Sequence, residues 1–328
     1  MRMKEARSID QSPAATGGKG VVILAAGVML AAAAFAVRQK TRQAERTRLP
    51  EGKYIEVDGV RLHYIESGRG QPLVLLHGIG CMAQDFEICG LIGLASNRYR
   101  VIAFDRPGYG YSEHPCGSKW APREQAEILH RALLKLGCER PVVAGHSWGA
   151  QVAIALALQH PGYVRGLALL SGYYFPTCRP DFLLSAVHAI PVIGEILRHT
   201  VSPLLARMMR PAVLKIIFGP APVPPHFAAF PLWLALRPAQ LQASIKDNLS
   251  MIPSVMAVRW RYRELTMPVI IVAGDGDRLV STPHHSVRLH RQLPNSELRL
   301  IPGAGHMIHH TAPRQVMAAI DSAARGAA

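Results

Sequence analysis

Three separate places in the sequence carry the residue types needed for nucleophilic catalysis. Ser147 lies in GHSWG, residues 145–149, which has the spacing G-x-S-x-G, and Asp277 and His306 follow it along the chain. A serine hydroxyl is a weak nucleophile near neutral pH, so an imidazole must take its proton and a carboxylate must orient the imidazole. The order nucleophile, acid, base therefore predicts covalent catalysis through an acyl-enzyme.

Other side chains compete for two of these three roles. Asp275 precedes Asp277 by two positions, and its alternative function is to cap a turn. His309 and His310 lie close to His306 and are alternative bases. We favour His306 because the two glycines just before it allow the loop to turn toward the serine.

The segment around Ser147 is expected to form a strand, a sharp turn and a helix. The strand starts at Pro141, and the helix over 151–160 is almost entirely apolar. Residues without a side chain fit where the two arms of such a turn crowd together. The backbone N–H groups of Trp148 and Ile79 are the expected oxyanion donors, and losing one such donor costs about 3 kcal/mol of transition-state stabilisation.

Strand and helix patterns alternate along most of the chain. Besides the strand that starts at Pro141, strands are predicted over 54–57, 60–66, 73–76, 100–104, 165–170, 269–273 and 297–301. Helices are predicted over 121–136, 151–160, 283–292 and 313–324. Because the strands are nearly continuous apolar runs, the pattern indicates an α/β fold with a mostly parallel, eight-stranded sheet covered by helices on both faces.

This alternation stops between residues 173 and 262. The segment holds 12 of the 25 prolines and is predicted to form short helices separated by turns, inserted as a lid between core segments 51–172 and 263–328. Its large apolar side chains either line an acyl-binding site or form the lid's own core: Phe227, Phe230, Trp233 and Leu234.

The N-terminal region contains a long apolar run. Residues 1–19 are expected to be a disordered basic segment, 20–37 a transmembrane anchor and 38–50 a basic linker. A signal peptide cleaved after the AFA of residues 34–36, giving a secreted or periplasmic protein, is the alternative. Basic residues are denser after the run than before it, which favours an uncleaved anchor with the main domain on the cytoplasmic side.

Composition excludes several other classes of protein. The chain has 328 residues and a net charge of +15, which suggests attraction to anionic lipid or another polyanion. Aromatic residues are only 6% of the chain and no nucleic-acid motif is present, so nucleic-acid binding is not expected. The five cysteines show no C-x-x-C spacing, which argues against a zinc site or a disulfide framework.

Together these motifs resemble the α/β-hydrolase fold family, in its lid-bearing branch of esterase-like and haloperoxidase-like enzymes. The stretches that carry the resemblance are HGIG at 77–80, DRPGYGYS at 105–112, GHSWG at 145–149, GDGD at 274–277 and GAGH at 303–306. The resemblance implies the triad Ser147, Asp277 and His306, backbone donors at Ile79 and Trp148, and no cofactor or metal. Relatives that open epoxides or remove halide carry Asp in place of this serine.

The sequence therefore predicts a membrane-anchored serine hydrolase that cleaves a small carboxylic ester, including a lipidic one. Cleavage of a carbon–carbon or amide bond by the same residues is an alternative. A non-catalytic binding protein tethered to the membrane is a second alternative. The sequence leaves the oligomeric state open.

Overall fold

The computed structural model describes residues 17–114, 121–177 and 181–325. The predicted disordered segment at 1–19 lies outside the described residues as far as residue 16, and the prediction was wrong for residues 17–19, which are helical. All eight predicted strands are present: β1 (Lys53–Val57), β2 (Val60–Ser67), β3 (Gln71–Leu76), β4 (Tyr99–Phe104), β5 (Val142–His146), β6 (Gly166–Leu170), β7 (Val269–Gly274) and β8 (Ser296–Ile301).

These strands form a single sheet in the order β1-β2-β4-β3-β5-β6-β7-β8. β2 pairs antiparallel with β1 and β4, and every other neighbouring pair is parallel. This confirms the mostly parallel, eight-stranded sheet. Because β3, β5, β6 and β7 run parallel, their carboxyl ends lie at one edge of the sheet, where such sheets place functional groups.

Thirteen α-helices are described, with short 3₁₀ or π turns between some of them. They are α1 (Gly17–Thr47), α2 (Gln84–Ile88), α3 (Leu91–Ser96), α4 (Pro122–Lys135), α5 (Trp148–Gln159), α6 (Asp181–Ala189), α7 (Ile193–His199), α8 (Val201–Phe218), α9 (Leu232–Ala235), α10 (Pro238–Val258), α11 (Arg288–Gln292), α12 (Ile308–Thr311) and α13 (Pro313–Arg325). One hydrophobic cluster joins α4, α5 and α11 to the sheet, and another joins α2, α3 and α13. Helices therefore cover both faces, as predicted.

Five helices, α6 to α10, stand between β6 and β7, and we call this segment the insertion. The expectation of only short helices was wrong here, because α8 has 18 residues and α10 has 21. Pro211 and Pro253 lie inside these two helices rather than between them. A proline removes only one backbone donor from a helix, and tertiary packing offsets that loss.

Helix α1 extends further than the sequence indicated. The prediction of a linker at 38–50 was wrong for residues 38–47, which continue the helix as far as Thr47. No glycine or proline interrupts the chain between Gly27 and Pro50, and the charged residues after the apolar run are good helix formers. The second half of α1 packs against α7, α8 and α9, where Val37 is buried.

The first half of α1 projects away from the rest of the protein. Residues 21–32 are exposed over their whole length. By length and composition alone, α1 is able to cross a membrane.

Candidate active site

Ser147 occupies a strained turn between β5 and α5. Its φ is 53° and its ψ is −118°, a left-handed conformation that costs a non-glycine residue about 1–3 kcal/mol. The backbone N–H of Ser147 donates to the carbonyl of Leu170 at 2.8 Å, which ties the turn to the end of β6. Ser147 is only partly buried, so its side chain is accessible.

The two glycines of the G-x-S-x-G spacing are required by close backbone contacts. A Cβ on Gly149 would lie 2.2 Å from the carbonyl oxygen of Leu76, and one on Gly145 would lie 2.5 Å from the oxygen of Gly149. Real Cβ atoms do not approach backbone oxygens so closely. The structure thus explains why both arms of this turn need glycine.

Asp277 and His306 are hydrogen-bonded to each other. Nδ1 of His306 lies 2.7 Å from Oδ2 of Asp277, and both side chains are almost fully buried. Oδ1 of Asp277 accepts from the backbone N–H groups of Leu279 and Val280 at 2.8 and 2.9 Å. Burial raises the pKa of Asp277, but His306 and these donors outweigh it and lower the pKa below its ordinary value.

The competing acid and bases have other partners. Asp275 is exposed and accepts a hydrogen bond from the backbone N–H of Gly303 at 2.8 Å, so it caps the turn that leads to His306. His309 and His310 both point to Asp85 on α2. The geometry therefore gives His306 a carboxylate partner of the kind a general base needs and leaves Asp275 a structural role.

His146 links the loop of His306 to the turn of Ser147. Its Nε2–H donates to the carbonyl of His306 at 3.1 Å, and the two rings lie 4.9 Å apart between centroids. Burial, together with the neighbouring histidines, holds the pKa of His146 well below its ordinary value, so this ring is neutral. Since His146 directly precedes Ser147, the loop that carries the predicted base lies beside the turn that carries the predicted nucleophile.

The predicted oxyanion donors lie on either side of Ser147. A Cβ on Gly78 would lie 3.0 Å from Cβ of Ser147, so the turn after β3 passes directly against the nucleophile, and Ile79 follows it. The Ile79 side chain packs on a cluster that contains Trp148 and, from α10, Met251. The insertion therefore covers the region where both donors lie.

The four apolar residues singled out in the insertion differ in burial, since Phe227 and Leu234 are buried whereas Phe230 and Trp233 are half-buried. Phe227 is buried and stacks on Phe230 with ring centroids 5.1 Å apart, and its cluster includes Met307, the neighbour of His306. Leu234 belongs to a buried cluster with Met82, and Trp233 lies beneath the guanidinium of Arg207. Phe227 and Leu234 thus belong to buried clusters, and a role of the four residues in binding an acyl group stays a prediction.

One buried polar cluster escaped the sequence analysis. Asp85 accepts from Nε2 of His309 and His310 at 2.8 and 2.9 Å, and Nε2 of His226 on the insertion lies 3.1 Å from Nδ1 of His310. Burial raises the pKa of Asp85, but the two imidazoles more than offset this and hold it well below its ordinary value. The adjacent histidines at 309 and 310 were the available signal, but their shared partner lies about 220 residues away.

Within the described residues, Asp85, His309 and His310 are also a group able to hold a metal ion, since their ligand atoms lie within 4.8 Å of one another. Each imidazole binds a different carboxylate oxygen, an arrangement that hydrogen bonding explains by itself. We therefore infer that this cluster holds the loop after His306 in place and takes no part in the reaction.

A second buried network was also missed. Arg106, in the stretch DRPGYGYS, is fully buried and forms an ion pair with Asp247 of α10 at 2.8 Å. The two adjacent charged residues Asp105 and Arg106, directly after the apolar strand β4, were the signal in the sequence. Its partner belongs to the insertion, whose helices the sequence did not delimit.

Known proteins resemble this chain in fold and, at about a quarter identity, in sequence. Residues 73–320 match the profile of the Alpha/beta hydrolase family. Haloalkane dehalogenase 2 of Mycobacterium tuberculosis is 25% identical over 282 residues, covering 82% of this chain and 93% of that protein. The 2-hydroxymuconate semialdehyde hydrolase of Pseudomonas putida is 27% identical over 257 residues, covering 78% and 87%.

A solved structure adds agreement at the level of the fold. The crystal structure of a bacterial membrane phospholipase A superposes with a TM-score of 0.65 at 23% identity, covering 94% of this chain and 97% of that one. The sheet order, the strained serine turn and the profile match over residues 73–320 lead to one conclusion: the chain belongs to the alpha/beta hydrolase family.

Proposed function

We propose that this protein is a membrane-anchored serine hydrolase that cleaves a carboxylic ester, with a lipid acyl ester as the favoured substrate. The observation that carries the proposal is the buried Asp277–His306 pair beside the strained turn of Ser147. This arrangement has the parts that acyl transfer needs, each placed after a different strand of one sheet.

The reaction follows from the roles of these groups. Nε2 of His306 takes the proton of the Ser147 hydroxyl as the oxygen attacks the ester carbonyl. The N–H groups of Ile79 and Trp148 stabilise the oxyanion, and the imidazolium then returns its proton to the departing alcohol. Water, deprotonated by His306, then attacks the carbonyl of the acyl-enzyme. The acid is released, and the proton returns to the oxygen of Ser147.

Ser147 itself separates this chemistry from dehalogenation, although a haloalkane dehalogenase is among the relatives. A carboxylate that displaces a halide forms an alkyl ester, which water hydrolyses. A serine would form an alkyl ether instead, which has no carbonyl for water to attack, so the enzyme would be consumed in one turnover.

Helix α1 supports the anchoring part of the proposal. Its exposed apolar half is long enough to enter a bilayer, while its second half is packed on the insertion. Five basic residues follow the apolar run directly: Arg38, Lys40, Arg42, Arg46 and Arg48. They favour a cytoplasmic position for the catalytic domain, close to anionic headgroups.

The insertion presents an apolar face next to this anchor. Eleven large apolar side chains from 187 to 216 are between 42% and 72% exposed. They are Val187, Ile190, Val192, Ile193, Ile196, Val201, Leu205, Met208, Met209, Val213 and Ile216. Apolar patches of this kind mark interaction surfaces. Because α7 and α8 pack directly on α1, we infer that the bilayer holding α1 also covers this face.

The substrate class is tested with a panel of p-nitrophenyl esters (acetate, butyrate, octanoate and palmitate), matched anilides and a vinylogous 1,5-diketone. Hydrolysis of the esters is expected to exceed that of the anilides by at least about a hundredfold, because the amine is a far poorer leaving group. A preference for the diketone over every ester would reject ester hydrolysis and support carbon–carbon cleavage instead.

The apolar face is tested with the double variant Val192→Asp/Met208→Asp, whose side chains are 70% and 72% exposed. We expect hydrolysis of phosphatidylglycerol in vesicles to fall about tenfold or more, because two carboxylates oppose insertion of this face into lipid. Hydrolysis of soluble p-nitrophenyl butyrate should stay unchanged. Leu300→Asp, an exposed apolar position on β8, is the matched control, and an equal loss in both variants would contradict the inference.

A further inference from the structure

The Arg106 side chain connects the insertion to the turn that carries Ile79. Its Nε donates to the carbonyl of His77 at 2.8 Å, and its Nη2 donates to the carbonyl of Gly78 at 3.2 Å. On the other side of the guanidinium, Nη1 donates to Oδ2 of Asp247 and to Oε1 of Gln125, each at 2.8 Å. One rigid group thus binds the backbone just before Ile79 and helix α10 together.

The carboxylate of Asp247, like the guanidinium of Arg106, has several hydrogen-bond partners. Besides the guanidinium, its carboxylate accepts from the hydroxyl of Tyr109 and from Nε2 of Gln125, both at 2.8 Å. Arg106 and Asp247 are 0% and 2% exposed. Removing two charges from water is costly unless their hydrogen bonds are satisfied, so a pair this buried depends on its full set of partners.

The His77 ring donates a second hydrogen bond to the carbonyl of Gly78, which also accepts from Arg106. The backbone N–H of Arg106 donates to Nε2 of His77 at 3.0 Å, so the ring proton lies on Nδ1, which donates to the carbonyl of Gly78 at 2.7 Å. Burial and the charge of Arg106 lower the pKa of His77 to about 3. The ring is therefore neutral at working pH, and this tautomer persists.

These contacts determine where the N–H of Ile79 points. In a trans peptide, the carbonyl and the next N–H lie in one plane and point in opposite directions. The carbonyl of Gly78 is turned toward Arg106 and His77, so the N–H of Ile79 is turned away from them. Gly78 lies directly against Ser147, so an Ile79 N–H turned away from Arg106 and His77 can face the oxyanion of the proposed reaction.

We propose that Arg106 and Asp247 are a positioning pair through which helix α10 of the insertion orients the Ile79 N–H in the oxyanion hole. This inference rests on the proposed serine hydrolase chemistry. Neither residue touches the substrate: Asp247 holds the guanidinium, and the guanidinium holds the peptide. The oxyanion hole is complete only while α10 is docked, which makes catalytic competence depend on the position of the insertion.

The inference is tested with the double variant Arg106→Met/Asp247→Leu, measured with p-nitrophenyl butyrate. Replacing both charges by apolar side chains of similar size avoids an unpaired buried charge, so the protein is expected to fold. We expect kcat to fall about ten- to a hundredfold, because the peptide before Ile79 loses both guanidinium contacts and keeps only the His77 donor, so the Ile79 N–H is oriented less firmly. KM should change by less than about threefold, since the ground-state ester makes little use of that donor.

A tetrahedral inhibitor supplies a readout that a general packing defect would not reproduce. Butylboronic acid forms an anionic adduct with a catalytic serine, and its inhibition constant should rise by the same factor by which kcat/KM falls. Glu264→Gln is the matched control, because it neutralises the carboxylate of an exposed Arg–Glu pair, Arg261–Glu264, just beyond α10. That variant is expected to retain wild-type kcat.

Asp247→Asn is the second variant, to be used if the double variant loses its thermal transition. It keeps the shape of the side chain and removes only the charge that holds Arg106, so kcat should again fall with little change in KM. Wild-type kcat in either folded variant overturns the inference. Failure of the proposed function is seen separately, as ester hydrolysis that survives Ser147→Ala.

Discussion

Ser147→Ala is expected to lower kcat for ester hydrolysis by about 10⁵- to 10⁶-fold, to the level left by binding and the oxyanion donors alone. The variant removes the only atom that forms the acyl bond in the proposed reaction, while the Asp277–His306 pair keeps its hydrogen bond. The measurement is kcat on p-nitrophenyl butyrate, with the circular dichroism spectrum showing that the fold is unchanged.

Ser147→Gly is the matched control for the strained turn. Glycine adopts a φ of 53° without the penalty that any other residue incurs, so this variant should be at least as thermostable as Ser147→Ala and equally inactive. If either variant kept more than about a tenth of wild-type kcat, Ser147 would not be the nucleophile.

Asp277→Asn is expected to lower kcat by about 10⁴-fold, through the tautomer of His306 rather than through a loss of fold. Two backbone N–H groups, those of Leu279 and Val280, donate to Oδ1. The amide oxygen of Asn must occupy that place, which turns its NH₂ group toward Nδ1 of His306. The imidazole then carries its proton on Nε2, the atom that has to accept the proton of Ser147.

Asp275→Asn provides the comparison for this prediction. Asp275 accepts from the N–H of Gly303 through Oδ1, and an amide oxygen accepts the same bond, so its kcat should stay close to that of the wild type. Equal activities for the two Asn variants would show that Asp277 does not orient the base. Raising the pH should not restore Asp277→Asn, since the defect lies in the position of a proton and not in its affinity.

The core of the fold was predictable because local sequence and sheet topology agree there. Each central strand is a short run of buried apolar residues, and parallel strands place their carboxyl ends at one edge of the sheet. The sequence alone therefore predicted that Ser147, Asp277 and His306 lie close together. Glycine at 145 and 149 was predictable as well, because the turn leaves no space for a Cβ.

The insertion was the least predictable part for a physical reason. Proline ordinarily ends helices, so Pro211 and Pro253 suggested boundaries that the packed helices do not have. Asp247 lies on one of those helices, and its partner Arg106 stands 141 residues earlier. Such pairings depend on the tertiary arrangement, and no local pattern in either segment reports them.

The end of α1 illustrates the same limit at the N-terminus. The basic residues after Val37 indicated a linker lying against the membrane surface, but the helix continues and its second half packs on the insertion. Amphipathic contact with a neighbouring domain is visible only once that domain's surface is known.

Labelling with a fluorophosphonate, followed by mass spectrometry of the peptides, tests the central claim most directly. Such a reagent reacts with a serine only where a base activates it and an oxyanion hole receives the product. The account predicts one adduct per chain, on Ser147, and its absence in the His306→Ala variant. An adduct on another residue, or a wild-type protein that is folded yet unlabelled, would contradict it.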